Sequence, residues 1–421
     1  MNEFETYFQQ LIINEEGGIR FYSFDSKKFS NTGVALKKSM PVFYNPIQEF
    51  NRSITLIAYK VFQEITKDDE KFKSLKICDS MAASGIRTIR LLSFLHKPIQ
   101  IIANDLNPLA LRIIKKNIEL NSKLVSENDI ELSNKDARFL FEELSNYKKY
   151  QSIIDIDPFG TPNIFIESAL RSVNLKGLIG ITATDTAVLF GVRSSACIRK
   201  YGIKSLRSTF LKEVGLRILF YYIANRAHPH MNYIEPMLSF SSDHYIRVFV
   251  RIHKGKLGVD QNLKNSGYIF WCPKCDWRSS IGMDLSSASF SCPLCQSKLH
   301  YGGPMWIGSL NNSEFIKKSI KTLEISGETT IPSKKRILKL LNLLSYENDF
   351  QPGYYNIHKI CDSLDICVPK TEKIINEIQE LGYRAVRTHF DPHAIKTDIS
   401  IDDLKQILIK FHNFQNKIKT I

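Results

Sequence analysis

The stretch LKICDSMAASGIRTIRLL, residues 75–92, contains the pattern from which we infer the architecture of this protein. A short apolar run leads into small residues, and these lead into a stretch whose apolar residues recur at helical spacing. This order predicts a β-strand, a tight loop and an α-helix. The alternation continues to residue 183. Because repeated alternation of strand and helix is typical of a parallel sheet with helices on both faces, we predict an α/β core.

The elements predicted around this stretch extend the same core. Strands are expected at 75–78, 99–103, 130–132, 152–156 and 178–183, and helices at 86–95, 109–120 and 164–173. The pair Asn107-Pro108 predicts a helix start, since Asn is a favoured cap and Pro fits the first helical position. Farther along the chain we expect helices at 316–344 and 370–381, joined by a turn at Pro352-Gly353. These two helices and the turn between them predict a separate C-terminal domain.

Three loops follow successive predicted strands and outline a crevice. The loop at 80–85 has small residues but one glycine, so it is not a dinucleotide fingerprint and alone indicates an ordinary turn. Asp105 follows the next strand, where its carboxylate can accept the hydroxyls of an adenosine ribose or serve only as a turn residue. Asp136 and Ala137 follow the third strand. Together the three loops predict a nucleoside site at the carboxyl edge of the sheet.

The sequence SIIDIDPFG, residues 152–160, ends a fourth strand with Asp157, Pro158 and Phe159. An exocyclic amine of a nucleobase is a poor nucleophile because its lone pair is delocalised into the ring. A carboxylate that accepts its N–H bonds can draw the nitrogen toward an attacking geometry, with an aromatic ring stacked on the base. This pattern predicts amine methylation. The structural alternative is that Asp157 caps the next helix and Phe159 lies in the core.

The composition indicates a globular protein and the kind of partner that it binds. The 421 residues suffice for two or three domains, and 43% hydrophobic with 24% charged residues is typical of a globular chain. A net charge of +14 favours a polyanionic partner such as nucleic acid or an acidic membrane face, and the plain alternative is a basic but inert surface. No apolar run approaches the roughly 18 residues of a membrane span, and residues 1–18 resemble neither a signal nor a transit peptide. We therefore expect a cytoplasmic protein that does not bind membranes.

Four of the eight cysteines form two C-x2-C pairs separated by sixteen residues: Cys272, Cys275, Cys292 and Cys295. Four thiolates at this spacing predict a tetrahedral zinc site, with iron as the main alternative. Because four protein ligands leave no position for a substrate, we expect the metal to be structural.

Several of these stretches together resemble the tRNA (guanine-26, N2)-dimethyltransferase family. The resemblance covers nearly the whole chain and is carried by residues 41–46, 51–52, 79–90, 104–105, 155–162, 180–185 and 387–390. It implies a class I, Rossmann-like methyltransferase core with a zinc-ribbon-like insert and a C-terminal α+β domain. The implied limits are 1–265 for the methyltransferase domain with its N-terminal substrate-binding segment, 266–308 for the zinc-binding module with its four cysteines, and 309–421 for the tRNA-binding domain.

The resemblance also implies a role for individual side chains. The cofactor is S-adenosylmethionine, with Arg52 and Arg87 on its methionine part, Asp105 on the ribose, and Asp136 and Ala137 at the adenine. Asp157 holds the substrate amine, and Phe43 and Phe159 form the base pocket. A guanidinium suits the cofactor carboxylate, although a solvated helix-face charge is the plain alternative for both arginines.

With this family in view, the basic residues near the C-terminus are expected to contact phosphates rather than to be merely solvated. They are Lys334, Lys335, Arg336, Lys339, Arg384, Arg387, His389, His393 and Lys396.

The implied function is transfer of two methyl groups to N2 of guanine 26 in tRNA by a monomeric enzyme. Two alternatives remain at this point: methylation of another RNA guanine N2 or an adenine N6, and an inactive zinc-knuckle nucleic-acid-binding protein. Adenine enzymes usually present Asp/Asn-Pro-Pro-aromatic, whereas here Phe159 directly follows Pro158.

Overall fold

The computed structural model describes residues 3–29, 40–126 and 129–419. The chain divides into two compact units. The first unit comprises residues 1–183, 249–253 and 314–341, and the second comprises 184–248, 254–313 and 342–421. Each unit therefore combines segments that are distant in sequence. The predicted domain limits, 1–265, 266–308 and 309–421, stay a prediction. They divide the chain by function, whereas the two units are defined by compactness.

The first 183 residues supply an N-terminal hairpin, a long helix and an alternating α/β core. The hairpin and first helices are α1 (Glu3–Phe8), β1 (Leu11–Glu16), β2 (Ile19–Phe24) and α2 (Glu49–Thr66). The core follows as β3 (Leu75–Asp79), α3 (Ile86–Phe94), β4 (Ile99–Asn104), α4 (Pro108–Leu120), β5 (Ile130–Ser133), α5 (Ala137–Asn146), β6 (Gln151–Ile156), α6 (Asn163–Ser172) and β7 (Val173–Ala183). The predicted strands and helices of this region are confirmed within a few residues, except that β7 begins at Val173, five residues earlier than predicted.

Residues 186–306 supply the next elements. They are α7 (Thr186–Leu189), α8 (Ser194–Tyr201), α9 (Leu211–Ala227), β8 (Asn232–Ser242), β9 (Tyr245–Lys254) and α10 (Lys256–Lys264), followed by β10 (Ser266–Trp271), β11 (Arg278–Ile281) and β12 (His300–Trp306). A seven-stranded sheet has the order β5-β4-β3-β6-β7-β9-β8, and its first five strands are parallel. The predicted Rossmann-like α/β core is thereby confirmed.

The central strands are apolar on both faces because helices cover both sides of the sheet. Cys78 of β3 lies opposite Ile102 of β4 and Ile154 of β6, and the side chains of this layer are buried. Such near-continuous apolar runs are typical of parallel sheets. The predicted cap of α4 is also confirmed, since the Asn107 side chain accepts the Leu109 N–H at 3.0 Å and Pro108 occupies the first turn. Polar residues thus collect at the strand ends.

The last elements are α11 (Ser313–Ile325), α12 (Lys334–Glu347), β13 (Tyr355–Asn356), α13 (Ile357–Leu364), α14 (Thr371–Glu380), β14 (Ala385–Arg387), β15 (Ala394–Thr397) and α15 (Ile401–Lys419). The prediction of one helix over 316–344 is wrong, because the chain breaks between α11 and α12. Pro332 lacks an N–H and disfavours a helical residue before it. Helix α13 was also missed. It begins at an Asn356 cap, which accepts the Lys359 N–H at 3.0 Å.

Two small sheets occur in the second unit. One contains the strands around the cysteine pairs, in the order β11-β10-β12, and the other has the order β13-β15-β14. The second packs with α13, α14 and α15 around a core that includes Ile357, Ile374, Ile395 and Leu404. A C-terminal α+β arrangement follows from this packing. No helix among the described residues is long and apolar enough to cross a membrane.

Candidate active site

The loops after β3, β4 and β5 are tied together at the carboxyl edge of the sheet. The Asn104 side chain donates to the carbonyls of Ser80 and Lys135, both at 2.9 Å, and accepts the Lys135 N–H at 3.1 Å. The Asn134 side chain donates to the Asp105 carbonyl at 2.8 Å. These bonds fix the three loops relative to one another, as the predicted crevice requires.

The loop before α3 needs small residues for a conformational reason. Ala83 and Gly85 both adopt positive φ, 49° and 76°. A Cβ on Gly85 would also lie 3.0 Å from Ile114 of α4, so glycine suits both the backbone and the packing at that point. The resulting turn directs backbone groups toward Asp105, whose Oδ2 accepts the Ala83 N–H at 2.9 Å.

Asp105 is held at both carboxylate oxygens. Its Oδ1 accepts the Asn107 N–H at 2.9 Å, opposite the bond from Ala83. Burial raises the pKa of Asp105, and the two backbone N–H groups only partly offset this. Since a carboxylate has sites for about four hydrogen bonds, it can accept further donors such as ribose hydroxyls.

Arg87 is surrounded by carboxylates. Its Nη1 bonds to Asp155, its Nη2 bonds to Asp157, and its Nη1 lies 3.9 Å from Asp79. We call these four residues the arginine cluster. Arg87 is only 7% exposed. Burial alone would lower the pKa of Arg87, but the carboxylates raise it well above its usual value. The cation therefore stays charged and fixes Asp157 at the end of β6.

Two hydroxyl groups donate hydrogen bonds to the carboxylates of the arginine cluster. The Tyr59 hydroxyl of α2 donates to Asp155, and the Thr88 hydroxyl donates to Asp79 at 2.8 Å. Burial raises the pKa of Asp79 to about 6, an effect that Arg87 reduces and Asp155 increases. Sequence reasoning missed Asp79 and Asp155. Asp155 lies on β6 and Asp157 directly follows the strand. Two residues that are two positions apart in an extended chain face the same side, and this signal was available.

The structural alternative for Asp157 and Phe159 is wrong. Helix α6 begins at Asn163 with Pro162 at its cap position, so Asp157 does not cap it. Phe159 is 62% exposed and is not a core residue. Its ring contacts Phe43 edge to face, with centroids 4.4 Å apart and planes at 83°. We call Phe43 and Phe159 the aromatic pair. It leaves an exposed aromatic surface where a base can bind.

Arg52 lies inside the first unit rather than on a solvated helix face. Its Nε and Nη2 donate to the two oxygens of Glu16 at 2.7 and 2.5 Å, and its Nη2 donates to the Asn45 carbonyl at 3.0 Å. Arg90 also bonds to Glu16, at 2.7 Å. Burial would raise the pKa of Glu16, but the two arginines lower it. Sequence reasoning missed Glu16, since no local pattern links it to arginines distant in the chain.

Asp136 and Ala137 lie where β5 ends and α5 begins. Asp136 caps α5 by accepting the Arg138 N–H at 2.8 Å, and it pairs with the Arg138 side chain at 2.7 Å. The bond from Arg138 lowers the pKa of Asp136. Ala137 is buried. The structure thus gives Asp136 a helix-capping role, with its adenine role still a prediction.

The four predicted metal ligands come together in the second unit. The Sγ atoms of Cys272, Cys275, Cys292 and Cys295, which we call the cysteine cluster, all lie within 4.8 Å of one another. Two of these pairs, Cys272–Cys295 and Cys275–Cys292, are 3.5 Å apart. A tetrahedral zinc with Zn–S bonds of about 2.3 Å places its sulfurs about 3.8 Å apart. The donor set therefore fits zinc.

The two cysteine pairs form equivalent backbone turns. The Asp276 N–H donates to the Cys272 carbonyl at 3.0 Å, and the Gln296 N–H donates to the Cys292 carbonyl at 2.9 Å. Asp276 and Gln296 both adopt positive φ, 65° and 59°. This repetition gives the two sulfurs of each pair the same orientation, so the local spacing of each pair defines its half of the site.

The predicted phosphate-contacting surface near the C-terminus is wrong at two positions. The side chains of His389 and Lys396 are each 3% exposed. Lys396 pairs with Glu213 at 2.8 Å, and His389 bonds to Glu347 at 2.9 Å. Arg384 is exposed and Arg387 is half-buried, and both form ion pairs with other surface residues. The residues Lys334, Lys335, Arg336, Lys339 and His393 are exposed or half-buried and stay a prediction.

Known proteins match this chain over most of its length. The family described as "N2,N2-dimethylguanosine tRNA methyltransferase" matches residues 23–409. A tRNA (guanine(26)-N(2))-dimethyltransferase from Methanosphaera stadtmanae is 33% identical over 397 residues, 94% of this chain and 96% of that protein. One from Pyrococcus abyssi is 37% identical over 380 residues, 87% of this chain and 93% of that protein.

A solved structure shares the fold over the whole of its chain. It is Trm1 from Pyrococcus horikoshii in complex with S-adenosyl-L-methionine, with a TM-score of 0.78 and 31% identity. The match covers 94% of this chain and 100% of that one. The extent and identity of these matches, together with the strand-end site, show that the chain belongs to the N2,N2-dimethylguanosine tRNA methyltransferase family.

Proposed function

We propose that this protein is a tRNA (guanine-26, N2)-dimethyltransferase that uses S-adenosylmethionine. The observation that carries the proposal is Asp157, held by Arg87 at a strand end of a Rossmann-like core, together with membership of the family. A carboxylate so placed can bind an exocyclic amine, and the aromatic pair can contact the base that bears it.

The residues at the strand ends fit the cofactor. Asp105 can accept hydrogen bonds from its ribose, and the loop at 80–85 lets a ligand approach the backbone. The Arg87 Nε is buried and has no acceptor among the described residues, so it is a donor that an anionic group would satisfy. In this proposal Arg52 and Arg87 hold the methionine part, and Asp136 and Ala137 border the adenine. When bound, S-adenosylmethionine supplies an electrophilic methyl group.

Asp157 has two tasks in the proposed reaction. Its carboxylate accepts N–H bonds from the guanine amine and orients the nitrogen lone pair toward the methyl group. Arg87 pairs with Asp157 and holds its carboxylate at the strand end, and hydrogen bonds accepted by a charged carboxylate are stronger than those accepted by a neutral group. After transfer, the nitrogen must lose a proton, and the Asp157 carboxylate is positioned to accept it.

The aromatic pair serves the substrate. A base stacked within an RNA helix hides its amine, so the enzyme must draw the guanine out of the stack. Phe159 offers an exposed ring against which the guanine can pack, and Phe43 supports that ring from its edge. Phe43 and Phe159 are therefore assigned to base binding.

The cysteine cluster is assigned to a structural zinc ion in this proposal. Four thiolates complete a tetrahedral coordination shell, which leaves no position for substrate. Iron is the alternative metal. Cytoplasmic location and a monomeric state are further parts of the proposal, and they rest on the resemblance to the family.

The test is nucleoside mass spectrometry of a tRNA transcript treated with purified protein and S-adenosylmethionine. We expect N2-methylguanosine first and N2,N2-dimethylguanosine later, both at position 26. A transcript with adenine at position 26 is the substrate control and should yield no product. Methyl groups on adenine N6 or on another guanine would support the alternative enzymes. No transfer despite cofactor and RNA binding would support an inactive nucleic-acid-binding protein.

A further inference from the structure

The segment at residues 186–212 has an unusual charge composition. It contains six basic residues and no acidic residue: Arg193, Arg199, Lys200, Lys204, Arg207 and Lys212. We call it the basic segment. In the chain as a whole, 43 of 421 residues are acidic, so a stretch of this length would be expected to contain acidic residues. We propose that the basic segment is a surface that binds the phosphate backbone of the tRNA. This inference rests on the proposed function and extends it to a second part of the molecule.

Three arginines of the segment are exposed and have no side-chain partner within the described ranges. They are Arg193, Arg199 and Arg207, for which no side-chain hydrogen bond, ion pair or ring contact is found there. The other three basic residues are already engaged. Lys200 pairs with Asp185, Lys204 lies over the Tyr301 ring, and Lys212 donates to the Phe390 carbonyl. The three arginines are thus available to an external anion.

Three other arginines that reach the surface are paired with carboxylates. Arg171 pairs with Glu142 and Glu167, Arg384 pairs with Asp398, and Arg387 pairs with Glu372. Pairing neutralises the local field and occupies guanidinium donors that a phosphate would need. Exposure alone therefore does not distinguish Arg193, Arg199 and Arg207. They stand out because three arginines without a side-chain partner in the described ranges lie within one segment that has no acidic residue.

The backbone that presents these arginines is fixed by packing. Gly191 has a φ of +83°, and a Cβ there would lie 2.8 Å from the Arg207 backbone nitrogen, so the chain closes tightly between the first and last arginines. Helix α8 is anchored by buried Cys197 and Tyr201. Two hydrogen bonds of 3.2 and 2.8 Å join the backbones of Lys204 and Gly303. Such pre-organisation lowers the entropy lost when a partner binds.

The chemistry of the surface favours RNA over an anionic membrane. Guanidinium groups match phosphate oxygens with paired donors, and a sugar–phosphate backbone offers such oxygens at regular intervals. Val192 and Ile198 are 57% and 52% exposed beside the arginines and can contact riboses. A membrane-surface helix needs a broad apolar face, whereas α8 has eight residues and turns Cys197 and Tyr201 into the protein.

The experiment compares two triple variants with the unmodified protein. The first is Arg193→Ala/Arg199→Ala/Arg207→Ala, and the second is Arg171→Ala/Lys73→Ala/Lys410→Ala, which removes the same charge from basic residues that are paired with carboxylates. Binding to an unmodified tRNA transcript is measured over a range of salt concentrations, without methyl donor. The first variant should bind roughly 10- to 100-fold more weakly near physiological salt, with the log–log salt slope reduced in magnitude by about 2 to 3. The control should lose much less.

Several results would overturn the proposal. One is an unchanged salt slope in the first variant, and another is an equal or larger loss in the charge-matched control. A third is unchanged tRNA binding accompanied by lost binding to phosphatidylserine vesicles, which would assign the surface to membranes. Circular dichroism and cofactor titration on both variants verify that the core is folded. The binding measurements need no turnover. If the basic segment does not bind tRNA, the unmodified protein should still methylate its substrate. If the proposed function is wrong, the unmodified protein should produce no methylguanosine.

Discussion

The cysteine cluster and the arginine cluster are both built from four side chains, but the sequence specifies them in different ways. The cysteines all lie within residues 272–295, and two equivalent backbone turns bring them together. In the arginine cluster, Arg87 meets Asp157 across 70 positions of chain. The first site follows from local spacing, whereas the second exists only when parallel strands are placed side by side. Metal ligands can thus be recognised from a local sequence motif. Ion-pair partners on different elements of a sheet can be recognised only from the fold.

The largest effect that would test the sheet-edge half of this comparison is expected at Asp157. Asp157→Asn keeps the size of the side chain but removes the charge that Arg87 balances. We expect kcat to fall by about 10²–10⁴, because the orienting carboxylate and proton acceptor is lost. Cofactor affinity should change only a few-fold. Single-turnover methyl transfer and isothermal titration measure the two quantities.

Asp402→Asn provides the control for that substitution, since Asp402 is an exposed aspartate on the first turn of α15. It should transfer methyl groups at the unmodified rate. Turnover by Asp157→Asn within tenfold of the unmodified protein would remove Asp157 from the chemistry.

The cysteine cluster should show the next largest effect, and it concerns stability rather than rate. Cys272→Ser removes one of four ligands, and loss of the metal should lower the free energy of unfolding by about 3–5 kcal/mol. Elemental analysis should find about one zinc ion per chain before the change and much less after it. Cys367→Ser is the matched control because Cys367 is an exposed cysteine outside the cluster. Equal metal content in both variants would contradict a zinc site at these cysteines.

Much of the core was predictable because it depends on local chemistry. The strand and helix alternation, the Asn107 cap and the four cysteines each need only neighbouring residues to be recognised. The parallel order of the sheet then brought the three strand-end loops together, as expected from fold rules alone.

What escaped prediction involves long-range pairing of charges. Glu16 binds Arg52 and Arg90 from 36 and 74 positions away, and no periodicity marks it as buried. Lys396 was expected to contact phosphate, but it is buried and forms an ion pair with Glu213. The sequence does not show whether a basic residue pairs with a ligand or with another side chain. The burial of Lys396 and its acidic partner are visible only in the structure.

Glu213 offers a direct test of such a long-range pair through pH. Its Oε1 accepts from Arg217 at 2.6 Å and from the Gly353 N–H at 2.9 Å, while Lys396 lies 2.8 Å from Oε2. Burial would raise the pKa of Glu213, but Lys396 and Arg217 lower it to about 2. A lowered folded-state pKa stabilises the protein above the unfolded-state pKa near 4.5, and this stabilisation is lost as pH falls toward 2.

The expected size of that contribution is about 3 kcal/mol, from the pKa difference between the folded and unfolded states. Urea unfolding of the unmodified protein and Glu213→Gln should therefore show a stability gap that narrows by about this amount between roughly pH 6 and pH 2.5. Glu380→Gln, at an exposed position of α14, should show no such convergence. A gap that stays constant with pH would mean that Glu213 does not carry the charge of this network.

The smallest of these effects is expected at Asp105, which returns the comparison to the sheet edge. Asp105→Ala removes the acceptor proposed for the ribose hydroxyls, and burying those hydroxyls without a partner costs about 1–3 kcal/mol. Affinity for S-adenosylmethionine should fall roughly 5- to 150-fold, while tRNA binding stays unchanged, because this carboxylate faces the cofactor loop at Ala83. Asp129→Ala, at a partly exposed aspartate beside β5, is the control and should bind normally. If titration shows equal cofactor affinity for both variants, Asp105 acts only as the turn residue that its bonds to Ala83 and Asn107 would also permit.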